Sequence, residues 1–256
     1  CRLGLIGADR WGRNYIRTIQ ELPGVTLGRI ASNNPETGKL APAGCQIEVD
    51  WRAVASAMDL DGVIITTPPA LHAEMTSAAV RAGLPVLVEK PLTMDLDQAE
   101  ALGHLVARHD GYVLVDHTQL FNPPFAAMKR VAGLLGPVKA INSLAGNRGP
   151  FREGVNVLWD WGAHDVAMCL DFLDELPRAV MVRRIGPAQQ SGESLELRLN
   201  FRSDVTATIN ISNVRSEKVR RFAVQFQNSE LIFDDFAERK LSIKHRHKAE
   251  IHVDPD

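Results

Sequence analysis

Two short stretches of this chain bring together side chains that can handle protons and charge. In VLVEKPLT (86–93), Lys90 sets an ammonium between an acid and a proline. In WDWGAHD (159–165), Asp160 and His164 lie four residues apart, so on a helix their side chains share one face. An imidazole exchanges a proton near neutral pH, and a neighbouring carboxylate orients it and stabilises its charged form. The plainer alternatives are a capping aspartate with a hydrogen-bonded histidine, and a surface lysine that follows a strand.

A third stretch, GADRWG (7–12), follows the apolar run LGLI. A strand, a glycine-rich turn and a helix start form an anion site, because the first helical amides point at the ligand. Gly7 supplies the tight turn and Gly12 the close helix–strand approach, with Arg10 and Trp11 between them as candidate cofactor contacts. Asp9 stands where a second glycine normally lets the backbone approach a pyrophosphate. A carboxylate about 4 Å from a phosphate costs on the order of 4 kcal/mol at an effective dielectric near 20. Asp9 must therefore turn away, be offset by Arg10 or Arg13, or mark lost binding; otherwise it serves as a helix cap. The second strand ends in Ser32, Asn33 and Asn34 rather than in the acid that takes ribose hydroxyls, and Glu36 is the carboxylate nearest to it. Without that acid, NADP is as acceptable as NAD, and no arginine directly follows Ser32 to hold a 2′-phosphate.

These groups need a scaffold. β-branched runs at 3–6, 25–31, 46–49, 62–67, 85–89 and 112–116 alternate with helical patterns near 12–21, 51–58, 71–82 and 95–108. Buried runs separated by helices predict βαβ units and a doubly wound parallel sheet. TTPPALH (66–72) and VEKPLT then fall at carboxyl ends of strands, where open α/β sheets place ligands, so Thr66, Thr67 and Pro68 join the candidates. After about residue 117 the pattern changes. Helices are expected in FNPPFAAMKRVAGLL and WDWGAHDVAMCLDFL, the latter packing through Ala163, Val166, Leu170 and Leu173. Strict alternation follows at Leu195, Leu197, Leu199 and Phe201, then a turn at RSD, then Val205, Ala207, Ile209 and Ile211. That is an α+β domain with a mostly antiparallel, open-faced sheet.

The chain has 256 residues, 45% hydrophobic and 23% charged, with a formal net charge of −2. A near-neutral balance argues against nucleic-acid and membrane-surface partners. No apolar run approaches the roughly 18 residues that span a bilayer. The cysteines Cys1, Cys45 and Cys169 lie far apart, which favours a reducing cytoplasm. His245, His247 and His252 in KHRHKAEIH read as a solvated strand edge, and no metal site is expected.

GLIGADRWGRN, TTPPALHAE, VLVEKPLT, HTQLFNPPF and NVLWDWGAHD resemble, in order and spacing, the glucose-fructose oxidoreductase / inositol dehydrogenase / MocA family over nearly the whole chain. The resemblance implies a Rossmann domain at 1–117 and an α+β domain at 118–256. It implies hydride transfer between NAD or NADP and a hydroxyl-bearing carbon of a sugar, sugar nucleotide or cyclitol. Lys90, Asp160 and His164 match the family's catalytic residues, and Thr66, Pro68, His72 and Glu89 match positions that line the cofactor. His164 would take the hydroxyl proton, Lys90 would donate to the developing oxyanion, and Asp160 would orient one of them. The other readings within the fold are a dinucleotide-binding regulator and an NAD-dependent glycosidase. A homodimer or homotetramer is expected, through the polar sheet face Ser194 to Arg202 with Thr206, Thr208 and Asn210. The family's chains run on past the position of Asp256, so the sequence reads as trimmed or as a short member.

Overall fold

The computed structural model describes residues 1–149, 151, 154–186, 192–245 and 251–253. It divides into two compact units, Cys1–Asp116 and His117–Asp256.

The first unit runs β1 (Arg2–Ile6), α1 (Arg10–Glu21), β2 (Thr26–Ala31), α2 (Thr37–Leu40), β3 (Gln46–Glu48), α3 (Arg52–Ala55), β4 (Gly62–Ile65), α4 (His72–Arg81), β5 (Val86–Glu89), α5 (Leu96–His109) and β6 (Val113–Asp116). Its strands form one parallel sheet in the order β3-β2-β1-β4-β5-β6. Successive strand residues point to opposite faces, so neighbours in sequence enter different cores. Leu5 and Ile64 pack with Ile16 and Ile19 of α1 on one face. Ile6 and Ile65 pack with Met75, Ala79 and Val80 of α4 on the other. Burial on both faces is what makes β4 and the C-terminal part of β1 apolar, as the parallel arrangement requires. Asp95 caps α5 by accepting from the Gln98 amide at 2.9 Å. The helix expected over 51–58 is a single turn, Arg52–Ala55, closed by Ser56, whose amide and hydroxyl both donate to the Arg52 carbonyl at 3.1 and 2.7 Å.

The second unit holds α6 (Pro123–Ala132), β7 (Ala140–Arg148), α7 (Ala163–Leu173), β8 (Ala179–Arg184), β9 (Ser194–Asn200), β10 (Thr206–Ser212), β11 (Val214–Gln225), β12 (Ser229–Asp234), β13 (Leu241–His245) and β14 (Ile251–His252). They form an eight-stranded sheet ordered β14-β13-β12-β11-β7-β10-β9-β8. Only β7 and β10 run parallel, paired from Ala140–Thr206 to Gly146–Ser212. The alternation seen in the sequence is real: Leu195, Leu197, Leu199, Phe201, Ala207, Ile209 and Ile211 are all buried in one core beneath α6 and α7. Phe125, Phe172 and Phe222 meet there with ring centroids 5.7–6.3 Å apart. On the opposite face Glu196 lies between Arg183 at 2.7 Å and Arg198 at 3.1 Å. The packing stripe of α7 is shifted from the expected one. Asp165, Ala167, Met168 and Cys169 are fully buried, while Val166, Leu170 and Leu173 touch the core from its margin. The buried side includes an acid, Asp165, whose partners lie on the sheet.

His245 ends β13 and His252 ends β14, while His247 lies outside the described residues. Among the described residues no helix is long and apolar enough to cross a membrane.

Candidate functional site

The glycine turn is built as its spacing demands. Gly7 has φ +99°, and a Cβ there would lie 2.9 Å from Thr66 Oγ1; a Cβ on Gly12 would meet the Gly7 carbonyl oxygen at 2.1 Å. Thr66 secures the turn by donating to that carbonyl at 2.8 Å. Asp9 precedes α1 in an extended conformation and makes no capping hydrogen bond. Its carboxylate instead turns sideways and accepts from Asn34 Nδ2 at 3.1 Å. The first helical bond runs from the Arg13 amide to the Asp9 carbonyl at 3.0 Å, which leaves the amides of Arg10, Trp11 and Gly12 without acceptors in the helix ladder. Of the three outcomes open to Asp9, the structure gives a carboxylate tied to Asn34 beside the open helix start.

A cavity of about 370 Å³ opens at the carboxyl ends of β1, β2 and β4. Gly7, Asp9, Ser32, Asn33, Thr66, Thr67 and Pro68 line it, joined by Asn34, Trp51 and Met75. The volume and the mixed lining suit a nucleoside-sized ligand. Arg10 and Trp11 are exposed on the first turn of α1, outside that lining.

His72 does different work. It is 0% exposed, and its ring nitrogens lie 2.8 Å from the Pro91 carbonyl and 2.7 Å from the Thr67 carbonyl. It thus ties the TTPP loop to the EKP loop and positions both. Burial pushes its pKa below the ordinary value, and the two carbonyls only partly oppose this.

Glu89 ends β5 just before Lys90 and is 9% exposed. Tyr15 of α1 donates to Asp116 at the end of β6, and its hydroxyl lies 3.4 Å from Glu89. Burial, and then the charge of Asp116, push the Glu89 pKa up to about 7. Burial and the bond to Asp116 push the Tyr15 pKa well above its usual value. When Glu89 is protonated it can donate to the Tyr15 oxygen, which completes a chain that ends on the Asp116 carboxylate. Tyr15 escaped the sequence reading because nothing local marks it; its partners are 74 and 101 residues away.

In the second unit Asp160 lies on a π-helical turn, Leu158–Gly162, that runs straight into α7. The expected α-helical start is thus wound wider at Asp160 and regular from His164 onward. Gly162 lets this turn pack close to β10: a Cβ there would be 3.0 Å from Ile211 Cδ1. Such π turns are frequent at functional sites. His164 is half-buried and meets the His117 ring edge-on, with centroids 6.4 Å apart. The next residue, Asp165, is 1% exposed. It accepts from Ser143 Oγ on β7 and from Arg220 Nη1 on β11 at 3.4 Å. The Arg220 guanidinium in turn lies over the Trp161 ring at 5.3 Å. This buried pair anchors the Asp160–His164 segment to the sheet, and it gives Asp165 and Trp161 an anchoring task.

The first 117 residues match the GFO_IDH_MocA family model, an oxidoreductase family with an NAD-binding Rossmann fold. Inositol 2-dehydrogenase 4 of Saccharopolyspora erythraea is 35% identical over 142 residues, which cover 53% of this chain and 42% of that protein. The chain spans about half the length of the curated relatives it matches. A crystal structure of an oxidoreductase candidate from Magnetospirillum magnetotacticum MS-1 is 47% identical, covers 96% of this chain and 81% of that one, and has a TM-score of 0.90. UDP-N-acetylglucosamine 3-dehydrogenase GnnA from Acidithiobacillus ferrooxidans shares the fold, with a TM-score of 0.84 at 23% identity over 99% of this chain and 82% of that one. On the family model matched by residues 1–117 and the 47% identity to that Magnetospirillum crystal structure over 81% of its chain, the protein belongs to the Gfo/Idh/MocA oxidoreductase family.

Proposed function

We propose that this protein transfers a hydride between NAD or NADP and a hydroxyl-bearing carbon of a sugar, sugar nucleotide or cyclitol. The observation that carries the reading is the glycine turn, whose first helix amides are open while the Asp9 carboxylate is held by Asn34 instead of capping them. The nicotinamide supplies the redox chemistry when bound. Gly7, Thr66, Thr67, Pro68 and the amides of Arg10 to Gly12 would hold it, and Asp9, Ser32 and Asn33 would meet its adenosine end.

The chain's own residues manage the substrate hydroxyl. His164 takes the hydroxyl proton in the oxidative direction and returns it in the reductive one, a role that suits an imidazole near neutral pH. Lys90 donates to the oxygen as negative charge grows on it, and a cation there counts most where water is scarce. Asp160 orients His164 or Lys90. His72 and Glu89 act behind the contact surface by fixing the loops on either side of Lys90. The matches to inositol dehydrogenases favour a polyol substrate. The assembly we assign is a homodimer or homotetramer built on the polar face of the eight-stranded sheet.

Titration with NADH and NADPH, followed by nicotinamide fluorescence, tests the cofactor; binding of neither ends this reading. Lys90→Met should lower turnover of a polyol substrate by about 10²- to 10⁴-fold while sparing nucleotide affinity. Undiminished turnover in that variant would remove Lys90 from the chemistry.

A further inference from the structure

In a dinucleotide-binding sheet the adenosine ribose is usually taken by an acid at the end of the second strand. Here β2 ends in Ser32, Asn33 and Asn34. A carboxylate nevertheless reaches the same cavity from the other side, because Asp9 lines it together with those three residues. We infer that Asp9 is the ribose-recognising acid of this protein, relocated from the end of β2 to the glycine turn, and that it makes the site selective for NAD over NADP. The inference rests on the dinucleotide reading above and adds to it a named residue and a choice of cofactor.

The placement of Asp9 is enforced. Asn34 donates from Nδ2 to Asp9 Oδ1 at 3.1 Å and to the Ala8 carbonyl at 3.3 Å, while its Oδ1 accepts from the Glu36 amide at 3.0 Å. Ser32 Oγ accepts from the Asn34 backbone amide at 3.1 Å. With donors and acceptor all committed, the Asn34 amide has one orientation, and it presents its N–H to Asp9. A carboxylate offers about four acceptor sites, of which Asn34 takes one. Vicinal ribose hydroxyls are donors that can use the others. Asp9 also caps nothing, so helix formation does not explain its carboxylate.

The charges around it favour a ribose without a phosphate. Among the described residues that line the cavity none is a lysine or arginine. Two cations on neighbouring elements are paired elsewhere: Arg52 pairs with Glu74 at 2.7 Å and lies over Trp51 at 4.3 Å, and Lys39 pairs with Glu36 at 2.9 Å. A 2′-phosphate placed here would face the Asp9 carboxylate, and solvent would screen that repulsion only in part. Arg10 and Arg13, exposed near the start of α1, are the rivals: either one, swung over the ribose, could hold the phosphate.

The test is equilibrium titration of the whole chain with NADH and with NADPH, read by nicotinamide fluorescence, for the wild type, Asp9→Asn and Arg10→Ala. The wild type should bind NADH at least about 10-fold more tightly, and Asp9→Asn should shrink that ratio about 10-fold, chiefly by gaining NADPH. Because Asp9 is exposed, circular dichroism of Asp9→Asn should match the wild type. Three results would overturn the assignment: tighter NADPH binding by the wild type, an unchanged ratio in Asp9→Asn, or a selective loss of NADPH affinity in Arg10→Ala. Comparable binding of both nucleotides sinks this inference alone, whereas binding of neither sinks the dinucleotide reading and this inference with it.

Discussion

Each unit sets a buried acid next to a residue assigned to the chemistry, and the two acids are held in opposite ways. Glu89 directly precedes Lys90 and shares its surroundings with a second carboxylate, Asp116, and with Tyr15. Asp165 directly follows His164 and faces a guanidinium, Arg220, together with the hydroxyl of Ser143. Burial, reinforced by a second carboxylate, drives an acid to keep its proton, while an acid beside a buried cation becomes half of an anchor. The same side-chain chemistry thus yields a group that titrates near neutrality in one unit and a structural clamp in the other.

The sharpest way to break this contrast is to remove the cation. Arg220→Met leaves Asp165 buried without its counter-charge and should destabilise the second unit by about 3–5 kcal/mol. Adding Asp165→Asn should recover much of that loss. Urea unfolding followed by tryptophan fluorescence reads both changes, and a loss below about 1 kcal/mol would show that the pair anchors nothing.

Glu89 should behave differently, through pH. Its folded pKa of about 7 lies above the ordinary 4.5, so between those values the folded state holds a proton that the unfolded state has released. Stability from this group is therefore full below about pH 4.5, falls as pH rises, and levels off above about 7. The whole span amounts to at most about 3 kcal/mol at 1.36 kcal/mol per unit. Glu89→Gln should abolish this component, so the variant gains on the wild type as melting is measured from pH 5 to pH 8. Parallel pH profiles for the two proteins would place the ionisation of Glu89 elsewhere.

The smallest effect tests the link between the two carboxylates of the first unit. Tyr15→Phe removes the hydroxyl donated to Asp116 and should cost about 1.5 kcal/mol, the lower end for a hydrogen bond to a charged acceptor. It should also move the Glu89 titration, observable by carboxyl NMR. A variant that melts like the wild type and leaves that titration in place would mean the three groups are not coupled.

Legibility followed the range of the interactions. The parallel sheet was readable because both-face burial makes its central strands β4 and β5 apolar, and β9 and β10 because one-face burial makes them alternate. β8 escaped notice because it is an exposed edge strand whose run AVMVRR shows no inward face. β11 is long and heavily charged, with Arg220 buried among polar neighbours, so periodicity did not reveal it. The glycine turn and the candidate catalytic residues Lys90, Asp160 and His164 stood out by type and spacing. Asn34 and Tyr15 did not, since each matters only through a partner distant in the chain.

The amino-acid order alone settled the alternation of strands and helices, the change of architecture near residue 117, and the turn poised for an anion. Those features depend on burial periodicity and on backbone freedom at single positions, both of which are written locally. Tertiary structure decided which way the Asp9 carboxylate points, which acid keeps its proton and which is clamped. Those outcomes depend on whether the group that meets each carboxylate across the fold is an amide, a second acid or a guanidinium, and no local pattern encodes that meeting.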